Sequence, residues 1–231
     1  MAFLERSDLI KVREDERGDV LYFEEGRRRA LDIYRNSIGH FLVIPSIVAR
    51  GILSRRAPRD IQEDLEAWLE VFYHEYYVAR DLFHSRGEAV ADYFEEIGWA
   101  IRAEERWEPT QEGISVLAAL AEQTRGVIEF YDTVVRILKR DGGEGLRTQL
   151  LADAHTAFEN AKILGTARRK EAATDTSFDD AMTWLASRKI IEIEHIRVGK
   201  RKQRETRYAP GEAWEEIEGV ASLLASALTD R

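Results

Sequence analysis

From Ile61 to Phe83 the chain repeats one pattern: Ile61, Leu65, Trp68, Leu69, Phe72, Tyr76, Ala79 and Phe83 recur at helical spacings. These positions form one stripe of an α-helix for roughly six turns at 3.6 residues per turn. Such a helix is marginal in water until its stripe is covered, so the chain must fold as helix packed on helix. Asp60 stands where an N-cap belongs and Gly87 where the helix stops. The same spacing recurs at Leu31, Tyr34, Ile38, Phe41 and Leu42. It recurs again at Ile114, Leu117, Ala121, Thr124, Ile128, Tyr131, Val135 and Leu138, which predicts one long helix over about 112–139. Pro45, with no N–H to donate, is expected to interrupt or restart the first of these. Ile47, Val48, Ile52 and Leu53 continue its apolar theme, and Pro58 closes the segment.

Extended segments punctuate the helices. Leu9–Val12 and Val20–Phe23, around a charged turn ending in Arg17-Gly18-Asp19, predict a β-hairpin. A shorter helix is expected over 88–100, ending near Gly98, with 101–109 irregular or a short extended pair around Glu105. Asp141-Gly142-Gly143-Glu144-Gly145 is the strongest breaker and the expected domain boundary, separating a helical domain at 1–140 from a smaller one at 146–231. Beyond it come helices at about 146–164 and 177–188 with a polar loop between, then a second hairpin (190–198 and 204–208). A last amphipathic helix covers about 211–228. The expected fold is mainly α: a multi-helix bundle with an N-terminal β-hairpin and a C-terminal winged-helix-like β-hairpin.

Composition narrows the chemistry. There is no cysteine, which removes disulfides, thiolate metal ligands and a Cys nucleophile and suits a reducing, cytoplasmic compartment. No signal peptide is recognisable at the N-terminus. The longest apolar stretch, around Phe41–Ala49, contains Pro45 and Ser46 and falls far short of the ~20 residues that span a bilayer. The net charge of −9 opposes general coating of nucleic acid, so any such role needs a local basic patch.

No self-sufficient catalytic site is recognisable. The five histidines never fall four apart, so the two-His helical metal pair is missing. There is no Gly-x-Ser-x-Gly elbow and no phosphate-cradling Gly-rich loop, and neither cofactor nor metal is expected. Two segments rise above this background. On a helix, Asp32, Arg35 and Asn36 share one face, and Asn36 and His40 are i,i+4 neighbours. They form either a polar network tying this helix to the next or, because Arg matches phosphate geometry, a holder for an anionic group. The second segment is the C-terminal hairpin, where Arg197, Lys200, Arg201, Lys202, Arg204 and Arg207 stand against one acid, Glu205. Placed after the 177–188 helix, it resembles the wing of a winged-helix module. It is either a solvated loop or a contact for phosphates of DNA or of anionic lipid.

Leu31-Asp32-Ile33-Tyr34-Arg35-Asn36-Ser37-Ile38-Gly39-His40 resembles the Leu-Asp-Tyr-Tyr-Arg/Lys-Asn-x-x-x-His block of the glycerol-3-phosphate acyltransferase family, which lies in that family's C-terminal helical region. Phe41–Ala49, Trp68–Tyr76 and the stretch from Val116 to Tyr131 are similar to its later blocks in order and spacing. The resemblance covers roughly residues 8–140 and weakens beyond. It implies acyl transfer to glycerol 3-phosphate, or to dihydroxyacetone phosphate, at the inner membrane surface.

One departure is decisive. The family's catalytic motif is a His with an Asp five positions on; here those positions hold Pro45, Ala79, Ala89, Asn160 and Lys200. The family's Glu-Gly-x-Arg-Ser-Arg type phosphate motif is also missing. That His acts as base on the acceptor hydroxyl and the Asp orients it. This chain alone is therefore expected to be inactive. It reads as the C-terminal half of a split enzyme, with a catalytic acyltransferase domain or subunit as partner, as a truncated gene or fragment of one, or as a repurposed helical module. The 41–53 segment is expected to present an apolar face to that partner or to lipid, with the protein peripheral at the inner membrane. The rival expectation is a winged-helix DNA-binding or regulatory module using 146–208.

Overall fold

In the computed structural model of the protein, residues 11–13, 20–22, 28–76, 86–167, 172–198 and 203–229 are described, the side chains of 20–21, 28–38, 203 and 229 excepted. The chain divides into two units, Met1–Phe41 and Leu42–Arg231. In the first, β1 (Lys11–Arg13) pairs antiparallel with β2 (Val20–Tyr22), with Val12 opposite Leu21. Helix α1 (Arg28–Leu53) then runs on through Pro45. The expected break there does not occur. A proline lacks only its own N–H, and Val43, Ile47, Val48 and Ile52 on either side are fully buried in the second unit. That burial also overturns the expectation of an apolar partner-facing patch over 41–53: Val43, Ile44, Ile47, Val48 and Ile52 are core, while Phe41 is 70% exposed.

Helix α2 (Pro58–Tyr76) starts with proline in its first turn, where the missing N–H has no helical partner in any case. Asp60 is therefore not the N-cap; it lies inside the first turn, near the positive end of the helix dipole. Its stripe is buried as predicted from Ile61 to Phe72, while Ala79 and Phe83 lie outside the described residues. Helix α3 (Arg86–Glu96) leads through Gly98 into the hairpin of β3 (Ala100–Ala103) and β4 (Arg106–Pro109), whose Trp107 is 1% exposed.

The long helix expected over 112–139 is two: α4 (Gly113–Ala121) and α5 (Arg125–Arg140). The break is made by side chains from α1. Ser46 Oγ donates to the Ala121 carbonyl at 3.2 Å and shares a 2.8 Å hydrogen bond with the Thr124 hydroxyl. Arg50 Nη2 donates to the same two groups. These bonds satisfy polar groups at a buried helix end, which periodicity alone does not reveal.

After α5 the chain turns at Gly142 and Gly143, both at positive φ. Gly143 is also overlain by the Trp214 ring, which leaves no room for a Cβ. Then come β5 (Gly145–Leu146), α6 (Arg147–Ile163), α7 (Asp175–Ser187), β6 (Ile191–Val198), β7 (Gln203–Pro210), a single 3-10 turn and α8 (Ile217–Thr229). The sheet order is β5-β7-β6, all antiparallel. Helix, strand, two helices and a hairpin whose second strand lies centrally form the winged-helix arrangement expected of this end. Thr174 caps α7 by accepting a 3.0 Å hydrogen bond from the Ser177 amide.

Helix α5 is the axis: its residues are buried on nearly every side, and it packs against α6, α7 and α8. Phe130 is fully buried and meets Phe158 edge-on at 5.3 Å. Phe130→Ala is expected to lower the unfolding free energy by roughly 3–5 kcal/mol, measured by urea denaturation. Phe130→Leu, which keeps most of the volume, should cost under ~1.5 kcal/mol.

Candidate functional site

The structure treats the two sequence-derived candidates unequally. Positions 32, 35, 36 and 40 all fall within α1, so their spacing of three and four is helical spacing. The side chains of Asp32, Arg35 and Asn36 lie outside those described. His40 is half-buried, with its ring centroid 3.9 Å from that of Phe41.

At the hairpin, Lys200, Arg201 and Lys202 lie outside the described residues. Arg197 and Arg204 are exposed and directly opposite each other across β6 and β7. Arg207 lies nearer the core and contacts Glu144 at 3.4 Å and Glu194 at 3.7 Å. Glu205, the acid among the basic residues, accepts from the Thr206 amide at 3.0 Å.

Helix α7, the helix before the wing, has an acidic outer face. Asp175 is exposed, and Asp179 receives both Nε and Nη2 of Arg147 at 2.7 Å. His155 Nε2 lies 3.3 Å from Asp175 Oδ1. This His–Asp contact bridges two helices at the surface and is unrelated in spacing to a His-x4-Asp motif.

A polar joint that sequence reasoning missed links α2, α5 and α7. Glu75 Oε1 accepts from Ser177 Oγ at 2.8 Å, and Oε2 accepts from the Tyr131 hydroxyl at 3.2 Å. Tyr131 stacks on Trp184 with centroids 5.9 Å apart. The Trp184 indole N–H is buried with no acceptor among the described residues. Burial raises the Glu75 carboxyl to about 7 and Asp180 adds to the rise, against the lowering effect of the Ser177 and Tyr131 hydrogen bonds. Burial, then the charge of Asp179, lifts Asp180 to about 6. Burial first, then the Glu75 charge, holds the Tyr131 phenol well above its ordinary range. The available signal was an acid beside the apolar stripe, one position before Tyr76. What hid it was that both donors, Ser177 and Tyr131, come from distant sequence. Near neutrality this joint holds a part-protonated carboxyl that ties α2 to α7.

Residues 1–194 match the family described as the glycerol-3-phosphate acyltransferase C-terminal region. The chain belongs to this family. No curated protein matches it. The matched span includes every block on which the resemblance rested and extends past the 141–145 turn into β6. Residues 195–231 lie beyond it, yet they supply β7, the central strand, and α8, whose Val220 and Leu224 are buried in the core. Among the described residues no three His, Asp or Glu side chains gather as a metal site, and no helix is long and apolar enough to cross a membrane.

The joint makes a signed prediction. Glu75 has a folded pKa of about 7 against an ordinary value of 4.5, so between those pH values the folded state holds more proton than the unfolded one. Stability from this group is therefore full below the lower value and lost as pH rises through the upper one. The loss is about 3 kcal/mol, at ~1.4 kcal/mol per pKa unit. Glu75→Gln, followed by thermal denaturation across this pH range, is expected to flatten that part of the slope.

Proposed function

We propose that this chain is the non-catalytic C-terminal part of a glycerol-3-phosphate acyltransferase-like system in phospholipid synthesis. It acts with a His-x4-Asp catalytic domain that lies outside this sequence, either in a separate subunit or in a longer protein. The observation that carries this reading is the family match over residues 1–194. It is joined by the sequence itself, in which no histidine has Asp five residues on. In acyl transfer the base removes the proton from the acceptor hydroxyl as that oxygen attacks the acyl carbonyl, the bond from the acyl carbon to its donor breaks, the departing group takes up that proton, and the Asp orients the base. The partner supplies that pair. This chain contributes α1, where Arg35 and Asn36, with Asp32 and His40, shape or buttress the site for the acceptor's phosphate. The working location is the cytoplasmic face of the inner membrane.

The test is reconstitution. The chain is used to capture partners from membranes of its host, and the recovered acyltransferase bearing His-x4-Asp is assayed with and without it. Acylation that rises on adding the chain supports the reading; neither binding nor a rise overturns it. In the active mixture, Arg35→Ala is expected to raise KM for glycerol 3-phosphate by at least about tenfold, since a hydrogen bond to a charged group contributes roughly 1.5–3 kcal/mol.

The β5-β7-β6 sheet with its preceding helices favours one second reading, a DNA-binding or regulatory module. It predicts a salt-sensitive complex with duplex DNA that is lost when Lys200, Arg201 and Lys202 are replaced by Ala.

A further inference from the structure

The C-terminal sheet ends in an open edge. In the order β5-β7-β6, strand β7 has a neighbour on each side, whereas among the described residues β6 has β7 alone. Strand β6 is eight residues long and pairs with β7 along its whole length. Its base is fixed: Ile191 is buried, and the Gly211 amide donates to the Ile190 carbonyl at 2.9 Å. From Glu192 to His195 every residue is exposed, on both faces of the sheet. In an antiparallel pair, alternate residues turn their N–H and C=O groups away from the partner strand. On β6 those groups lie along the outer edge, and no backbone hydrogen bond reaches them among the described residues. Such a row is a template for one more strand.

Side chains decide which strand fits. Ile193, His195 and Arg197 share one face, and Glu192, Glu194, Ile196 and Val198 the other. Glu194 stands opposite Arg207, 3.7 Å away, but Glu192 stands opposite Ala209, which offers no charge. Charges on an edge ordinarily repel a further strand; here their order selects one. A second copy is disfavoured. Two copies joined edge to edge about a two-fold axis keep the faces of the sheet, so opposed residues come from the same face. Both glutamates of β6 lie on the face opposite to His195 and Arg197, so no such register sets a cation of β6 against either glutamate. Registers centred on Ile193 or Glu194 oppose Glu to Glu.

We propose that the outer edge of β6 binds an extended segment of another protein, added antiparallel like the rest of the sheet. That segment carries cations opposite Glu192 and Glu194, an acid opposite Arg197, and aliphatic residues opposite Ile193 and Ile196. Backbone hydrogen bonds hold it, and the alternation of side chains selects it. The inference stands apart from the acyltransferase reading and survives its failure.

The test uses the whole chain and a fluorescein-labelled peptide, Val-Glu-Val-Thr-Lys-Val-Lys-Val, which matches β6 antiparallel from Val198 to Ile191. Its counterpart, Val-Lys-Val-Thr-Glu-Val-Glu-Val, has the charges reversed. Binding is read by fluorescence anisotropy in 50 mM salt, and the contact is located by amide hydrogen exchange. Slowed exchange in β6 is expected, with the first peptide binding at least about tenfold more tightly than its counterpart. Glu192→Lys, at an exposed site, should keep the thermal midpoint. It should weaken the first peptide at least about threefold and strengthen the counterpart. Unchanged β6 exchange at 1 mM peptide, or equal binding of the two peptides, overturns the proposal. So does an unaltered preference in a folded Glu192→Lys variant, or β6 protection that grows with the concentration of the chain alone.

Discussion

Everything beyond residue 42 hangs on α5, a helix that has to be buried almost all round and yet carries acids. Glu129 is 3% exposed and Asp132 7%. A buried carboxylate is tolerated only when paired and hydrogen-bonded. Glu129 accepts from Arg125 Nε at 2.8 Å, and Asp132 is met by Arg136 at 2.8 Å, each one turn along the same helix. Arg125 also donates to the Leu228 carbonyl near the end of α8. The pairing that makes α5 buriable thus also anchors the last helix to the first turn of α5. Remove that constraint and α6, α7 and α8 lose their common surface.

A second polar contact connects this axis to the helices before it. The Glu75 carboxyl takes hydroxyl donors from α5 and α7 at once, so α2 is held by hydrogen bonds as well as by packing. Its raised pKa follows from burial, with the charge of Asp180 adding to it, against the lowering effect of its two hydroxyl donors. Such a joint specifies one arrangement of three helices, because neither Ser177 nor Tyr131 finds the same acceptor if α2 slides by a turn.

Family membership and charge distribution bear on different parts of the chain. The family-like blocks at 31–131 and the match to residue 194 tie it to glycerol-3-phosphate acyltransferases. Arg197 and Arg204 lie beyond the matched span and, among the described residues, have no carboxylate within salt-bridge distance. The winged arrangement therefore carries acids on α7 and two arginines facing each other across β6 and β7.

Much of the fold was legible from pattern. The helical stripe from Ile61 to Phe72, the hairpins, the glycine turn at 142–143 and the winged C-terminal arrangement follow from local spacing and turn chemistry, which act within a few residues. The family blocks were legible too, because their order survives in the chain. What tertiary structure decided were matters of distant partners. Ser46 and Arg50 split α4 from α5, burial of Val43 to Ile52 carried α1 through Pro45 and turned an expected docking face into core, and Ser177 with Tyr131 made Glu75 a joint. In each case the deciding group lies far along the chain, and periodicity records only which residues seek burial, not which atoms will meet them.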